Sequence, residues 1–141
     1  MMMVISSRHI LIFSILFLLL GPLVGAIHFW PILTYRHVYV RNDLVNGTLL
    51  TVHCKSKNND LGVHKLNYKD EFKFQFKPNI WGTTLFYCGL TWDGKLQSLV
   101  AFDNLRDIYF CKDLKWSITN YQPCLFNCDT QQYDRCINYN H

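Results

Sequence analysis

Six cysteines crowd the last two thirds of this 141-residue chain, at Cys54, Cys88, Cys111, Cys124, Cys128 and Cys136, behind a leader that contains none. An even set in a short exported chain implies disulfides and a small, braced fold. The leader has the layout of an export signal. Arg8 and His9 precede an apolar run from Ile10 to Leu20; Gly21-Pro22 ends the run, and Val24-Gly25-Ala26 forms a small-residue exit. The run is shorter than the roughly 20 residues of a membrane span, so a cut after Ala26 is favoured over an uncut anchor. Residues 27–141 then suit one compact domain, with no later segment to hold it in a membrane. Six cysteines allow about 15 pairings, and the sequence does not choose among them. The spacing Cys124-x-x-x-Cys128 with Cys136 lacks the two close pairs of a structural zinc site, and export favours disulfides over metal or free thiols.

Hydrophobicity beyond the leader repeats every second residue. Phe72, Phe74 and Phe76 alternate with Lys73, Gln75 and Lys77; a strand collects such rings on one face, whereas a helix would scatter them. Residues 36–41 read as a strand ended by the turn-prone Asn42-Asp43, and 49–54 as another with Leu50, Val52 and Cys54 inward. A loop is expected at Asn58-Asn59-Asp60 and Gly62, a short strand over 63–68 and a turn at Lys69-Asp70. Strands are expected at 83–92 and 95–102, joined by Asp93-Gly94, a dipeptide suited to a tight type I′ hairpin. Residues 107–111 and 115–120 are further candidates, with Trp116 and Ile118 on one face, and the cysteine-rich tail reads as a loop and short strand. Seven or eight short strands predict an all-β, disulfide-stabilised β-sandwich of two sheets, immunoglobulin-like in architecture.

Catalytic signatures are missing from the chain. It has no Gly-x-Ser-x-Gly elbow, no His-Glu-x-x-His pair and no phosphate-cradling glycine loop, so no cofactor is expected. His53 and His64 are the sole acid–base pair worth weighing, and surface roles explain them better. Asp103, Asp107 and Asp113 fit turns and strand ends, and Glu71 is the one glutamate in the sequence. Asn46-Gly47-Thr48 is the single N-glycosylation sequon, expected on an exposed turn and to carry a glycan. The formal net charge of +4 is mild, although Lys55, Lys57, Lys65, Lys69, Lys73 and Lys77 cluster. Because rings and lysines alternate over 69–77, they point to opposite faces, which speaks against nucleic-acid stacking. Trp81 and Trp92 lie near loops and are candidates either for ligand contact or for the core.

The order of segments resembles a known family. Val38 through Asp43, then Leu50-Thr51-Val52-His53-Cys54-Lys55-Ser56-Lys57 and Asp60-Leu61-Gly62 are similar to the opening of the plant self-incompatibility S1 family. The likeness continues through Phe72-Lys73-Phe74-Gln75-Phe76, Thr83-Thr84-Leu85-Phe86-Tyr87-Cys88, Arg106-Asp107, Cys111 and Trp116 to Cys124 and Cys136. Two departures stand out. Leu114 occupies a position where the family often has cysteine, and Cys128 is not a usual family position; Ile137 and Tyr139 also replace an aromatic and a tryptophan. The resemblance implies a small secreted β-sandwich, often glycosylated and without enzymatic activity, whose founding members are stigma-side ligands read by a pollen receptor. It therefore implies a non-catalytic signalling ligand recognised by a cell-surface receptor; a defence-type module that binds carbohydrate or inhibits an enzyme is the alternative. Recognition is expected in the loops at 42–47, 55–62, 77–82 and 91–94. Protein recovered from the medium of expressing cells is expected to begin at Ile27. Endoglycosidase treatment should remove the mass of one glycan from it, and none from the Asn46→Gln variant; N-terminal sequencing and intact mass check both.

Overall fold

The computed structural model describes residues 7–139, with side chains described for 7–20 and 34–139. Helix α1 (Ser7–Leu33) takes in the whole leader beyond residue 6 and continues past Gly21-Pro22. The proline removes one intrahelical donor, but leucines on both sides favour the helical path, so the apolar run ends before the helix does. The expected cut after Ala26 falls inside α1. Nine strands follow: β1 (Arg36–Asn42), β2 (Leu50–Lys55), β3 (Asp60–Leu66), β4 (Glu71–Phe76), β5 (Leu85–Trp92), β6 (Lys95–Asp103), β7 (Asp113–Ile118), β8 (Pro123–Asn127) and β9 (Gln132–Cys136). They form a five-stranded sheet in the order β4-β1-β7-β8-β9 and a four-stranded sheet in the order β3-β2-β5-β6. All pairings are antiparallel except β1 with β7, where His37 lies opposite Asp113 and Asn42 opposite Ile118.

The two sheets face each other across an apolar core built by the alternation. Val38, Val40, Phe74, Leu114, Trp116, Ile118 and Leu125 come from the five-stranded sheet; Leu50, Val52, Phe86, Leu90, Leu99 and Ala101 come from the other. Each buried Val, Leu, Ile or Phe side chain among them contributes about 1.5–3 kcal/mol when taken out of water. The phenylalanines of β4 behave as their spacing predicts, with Phe74 buried and Phe72 and Phe76 packed at its flanks. Leu50, Val52 and Cys54 are fully buried. Asp93 and Gly94 both have positive φ, at 49° and 71°, as a type I′ turn requires.

The three disulfides are Cys54–Cys88, Cys111–Cys128 and Cys124–Cys136. Cys54 and Cys88 are cross-strand partners on β2 and β5, as are Cys124 and Cys136 on β8 and β9. Cys111, ahead of β7, reaches Cys128, just past β8, so this bridge also stays with the five-stranded sheet. Leu114 is fully buried in the core, and Cys128 is the partner of Cys111.

Four expectations change. The loop expected at Asp60 and Gly62 is already strand: β3 starts at Asp60, and Gly62, with a φ of 78°, lies where β3 carries one residue more than β2. Asn42 ends β1 as expected, but from a buried position inside the strand: its side-chain amide donates to the carbonyls of Thr48 (2.8 Å) and Leu66 (2.9 Å), and its oxygen accepts from the Leu44 N–H (3.0 Å). Residues 107–111 are not a strand. A single helical turn, α2 (Asn104–Asp107), intervenes, capped by the Asp103 carboxylate on the Leu105 N–H at 2.9 Å. Asp107, fully buried, accepts from the Asp103 N–H at 2.8 Å and is gripped by the Arg106 guanidinium at 2.7 Å. The tail is more regular than its sequence suggests, because β8 and β9 pair as a hairpin whose strands are joined by Cys124–Cys136.

Trp116 on β7 is 1% exposed and donates from Nε1 to the Ala101 carbonyl of β6, across the core, at 2.9 Å. Trp116→Phe removes that donor, strands the carbonyl and leaves a void. Its expected cost is about 2–3 kcal/mol, read from the denaturation midpoint.

Candidate functional site

Antiparallel strands sort the connecting loops to two opposite ends. Lys55 at the end of β2 lies beside Tyr87 near the start of β5, so residues 56–59 and 77–84 meet at one end. Leu50 lies opposite Leu66 and Thr51 opposite Thr91, so residues 43–49, 67–70 and 93–94 occupy the other. The four loops expected to carry recognition therefore cannot act as one surface; they divide two and two.

The first end holds a cleft of about 450 Å³ between Lys57, Asn58 and Asn59 on one side and Asn79, Thr83 and Thr84 on the other, with Leu85, Phe86 and Tyr87 as its floor. Both walls are tied internally. Ser56 N–H donates to the Asn59 carbonyl at 2.8 Å, and Asn59 N–H to the Ser56 hydroxyl at 3.2 Å. Asn79 organises the longer loop: its N–H donates to Thr84 Oγ1 (2.8 Å), its side-chain amide to Thr83 Oγ1 (2.9 Å), and its side-chain oxygen accepts from Thr83 N–H (3.0 Å). Gly82, with φ 68°, makes the bend these bonds require, and a Cβ there would sit 3.2 Å from the Asn104 side chain. Held on this frame, Ile80 and Trp81 project outward, 63% and 80% exposed. Of the two tryptophans singled out from sequence, only Trp81 is presented: Trp92 is 4% exposed and packs on Tyr139 with ring centres 5.4 Å apart. Burial also pushes the Tyr139 hydroxyl far above its ordinary range.

His53 and His64 do not form a pair. His53 Nε2 is 2.7 Å from Asp60 Oδ1, and His64 Nε2 meets the Leu61 carbonyl at 2.8 Å while its ring stacks on Phe72. Asp60 is held below the usual carboxylate range, first by the Gly62 N–H and then by His53. Asp103 and Asp107 serve α2, and Asp113 binds His37 at 2.9 Å. Among the described residues no group of three or more His, Cys, Asp or Glu side chains is placed to hold a metal ion. The outer face of the four-stranded sheet carries a shallow groove of about 470 Å³ where Gly89 leaves a gap flanked by Val63, Tyr87 and Leu96, a feature no local motif announces.

At the second end Asn46 is exposed in a tight turn, with φ 60° followed by Gly47 at 66°. Beside it Asp43 accepts from Lys69 Nζ (2.6 Å), Arg41 Nε (2.8 Å) and the Ser117 hydroxyl, joining β1, β7 and the turn after β3. Burial by itself would raise the Asp43 carboxyl, but hydrogen bonds from Lys69, Ser117 and Arg41 outweigh it and hold the group below its ordinary value.

Two sheets braced by three disulfides, with loops projecting at either end, define a small protein of the disulfide-stabilised β-sandwich class. The model of plant self-incompatibility protein S1 matches residues 37–139, and the chain belongs to that family. S-protein homolog 5 of Arabidopsis thaliana is 40% identical over 109 residues, spanning 77% of this chain and 82% of that protein. S-protein homolog 3 of the same plant is 34% identical over 111 residues, spanning 76% and 74% respectively. A solved structure described as that of self-incompatibility protein homologues, "a widespread family of small, highly stable, secreted proteins from plants", has the same fold, with a TM-score of 0.54 at 21% identity over 65% of this chain and 84% of its own. Like its family, the protein is secreted, and the family is not known for enzymatic activity.

A carboxylate whose pKa is lower in the folded state stabilises fully above the unfolded value, near 4, and loses that contribution as pH falls through the folded value. Stability is therefore expected to drop from about pH 4 downward. The drop should be shallower in Asp43→Asn, as followed by thermal melts across the acid range.

Proposed function

We propose that the protein is a secreted, non-catalytic ligand recognised by a cell-surface receptor, and that the end carrying Trp81 makes the contact. The observation behind this reading is the pairing of exposure with rigidity. An isolated, 80%-exposed tryptophan beside a 63%-exposed isoleucine costs solubility without adding to the core, yet its loop is held by three hydrogen bonds to one asparagine. Tryptophan anchors dominate protein–protein binding energies, and a loop ordered before binding spends less conformational entropy on docking. The neighbouring cleft, walled by Asn, Thr and Lys, supplies hydrogen-bonding partners for a polar rim. The Asn46 turn faces the other way, so a glycan there leaves the contact clear.

Labelled protein is expected to bind plant plasma membranes saturably, to be displaced by unlabelled protein, and to lose its sites when the membranes are treated with protease. Trp81→Ala should weaken binding at least about tenfold with an unchanged melting temperature. Non-saturable binding, protease-resistant binding, or full affinity in Trp81→Ala overturns the reading.

A further inference from the structure

The outward side chains of the five-stranded sheet form a pattern that crosses strands distant in sequence. Within β4, rings and lysines do point to opposite faces. The sheet order β4-β1-β7-β8, however, places rings from other strands beside those lysines. Tyr39 on β1 lies opposite both Lys73 on β4 and Lys115 on β7. Lys73 Nζ is 5.0 Å from the Tyr39 ring centre, and Lys115 Nζ is 5.9 Å from Tyr39 and 5.5 Å from Phe126 on β8. The result is a row of cation, ring, cation, ring across four adjacent strands. Strand spacing puts the two ammonium groups about 10 Å apart.

The acids on this face are largely engaged: Asp113 is bound to His37, and Asp43 to Lys69, Arg41 and Ser117. Glu71 lies opposite Arg41 in the pairing of β4 with β1. Lys73 and Lys115 form no ion pair among the described residues, so the row keeps an unneutralised positive charge. Ring faces hold these ammonium groups near the sheet and restrict their motion, leaving N–H donors directed at whatever lies on it. Charge complementarity calls for a polyanion. Two such cations in a row across the sheet call for an extended one, with anionic groups spaced along it.

We propose that this face binds an acidic polysaccharide of the polyuronate class, with Lys73 and Lys115 pairing with successive carboxylates while the Tyr39 and Phe126 rings hold the two ammonium groups in place. A secreted plant protein meets such polymers before it meets nucleic acid, which decides between the two anionic chains. The site is independent of the Trp81 end, so its success or failure leaves the receptor reading untouched.

The full secreted protein is titrated with polygalacturonate, with the same polymer fully methyl-esterified, with a single-stranded oligothymidylate and with phosphatidylserine vesicles. Binding to polygalacturonate is expected, weakening as salt rises, with none to the esterified polymer. The Lys73→Ala/Lys115→Ala variant should bind at least about tenfold more weakly. Lys65→Ala/Lys95→Ala, which removes the same charge from the other sheet, and Trp81→Ala should bind as the parent does; circular dichroism verifies folding of each. The proposal is overturned by absence of binding at low salt, by equal loss in the two double-lysine variants, or by tighter binding of the oligonucleotide or the vesicles.

Discussion

Apolar packing, not sulfur, holds the two sheets together. No disulfide crosses between them: each of the three closes a pair of strands or their flanking loops within one sheet. The apolar layer from Val38, Val40, Leu114, Trp116 and Ile118 against Leu50, Val52, Leu90 and Leu99 therefore carries the tertiary fold, while the sulfur bridges stiffen the halves. Polar links across the layer are few and placed with care. Trp116 donates to Ala101 through the core, and Asn42 ties the end of β1 to the carbonyl of Leu66 on β3. A buried donor or acceptor left without a partner costs about 1–3 kcal/mol, so these bonds do more to fix how the sheets register than to raise stability outright.

That arrangement lets the surface vary. Loops project from strands whose inward faces are fully occupied, and the strongest internal bonding of the loop at 77–84 comes from Asn79 and the threonines, not from its tips. Exposed residues such as Ile80, Trp81, Lys57 and Asn58 can change without disturbing the core. A family built on such a frame can present many different surfaces on one scaffold.

Much of the fold was legible because period-two patterning is local. Phe72, Phe74 and Phe76 declare their face within seven residues, and Asp93-Gly94 declares a hairpin by itself. Long-range features were hidden for the same reason. Asp107 reads as an ordinary polar residue until α2 folds it beneath Arg106, and Cys111 has no evident partner until β8 turns Cys128 toward it. The recognition loops could be named but not sorted to opposite ends, since that requires strand direction. The row of Lys73, Tyr39, Lys115 and Phe126 draws on residues from four strands that no window of sequence holds together.

The parallel pairing of β1 with β7 has a consequence for the order of assembly. β1 comes first in the chain, but it sits inside its sheet between β4 and β7, and its partner on one side begins at Asp113. Contacts so distant along the chain close slowly, since a long loop of chain must first be brought together. An N-terminal half by itself thus has no complete sheet to settle into. The first strand is sealed by one made from the last third of the chain, which makes closure of the fold wait on nearly the whole polypeptide.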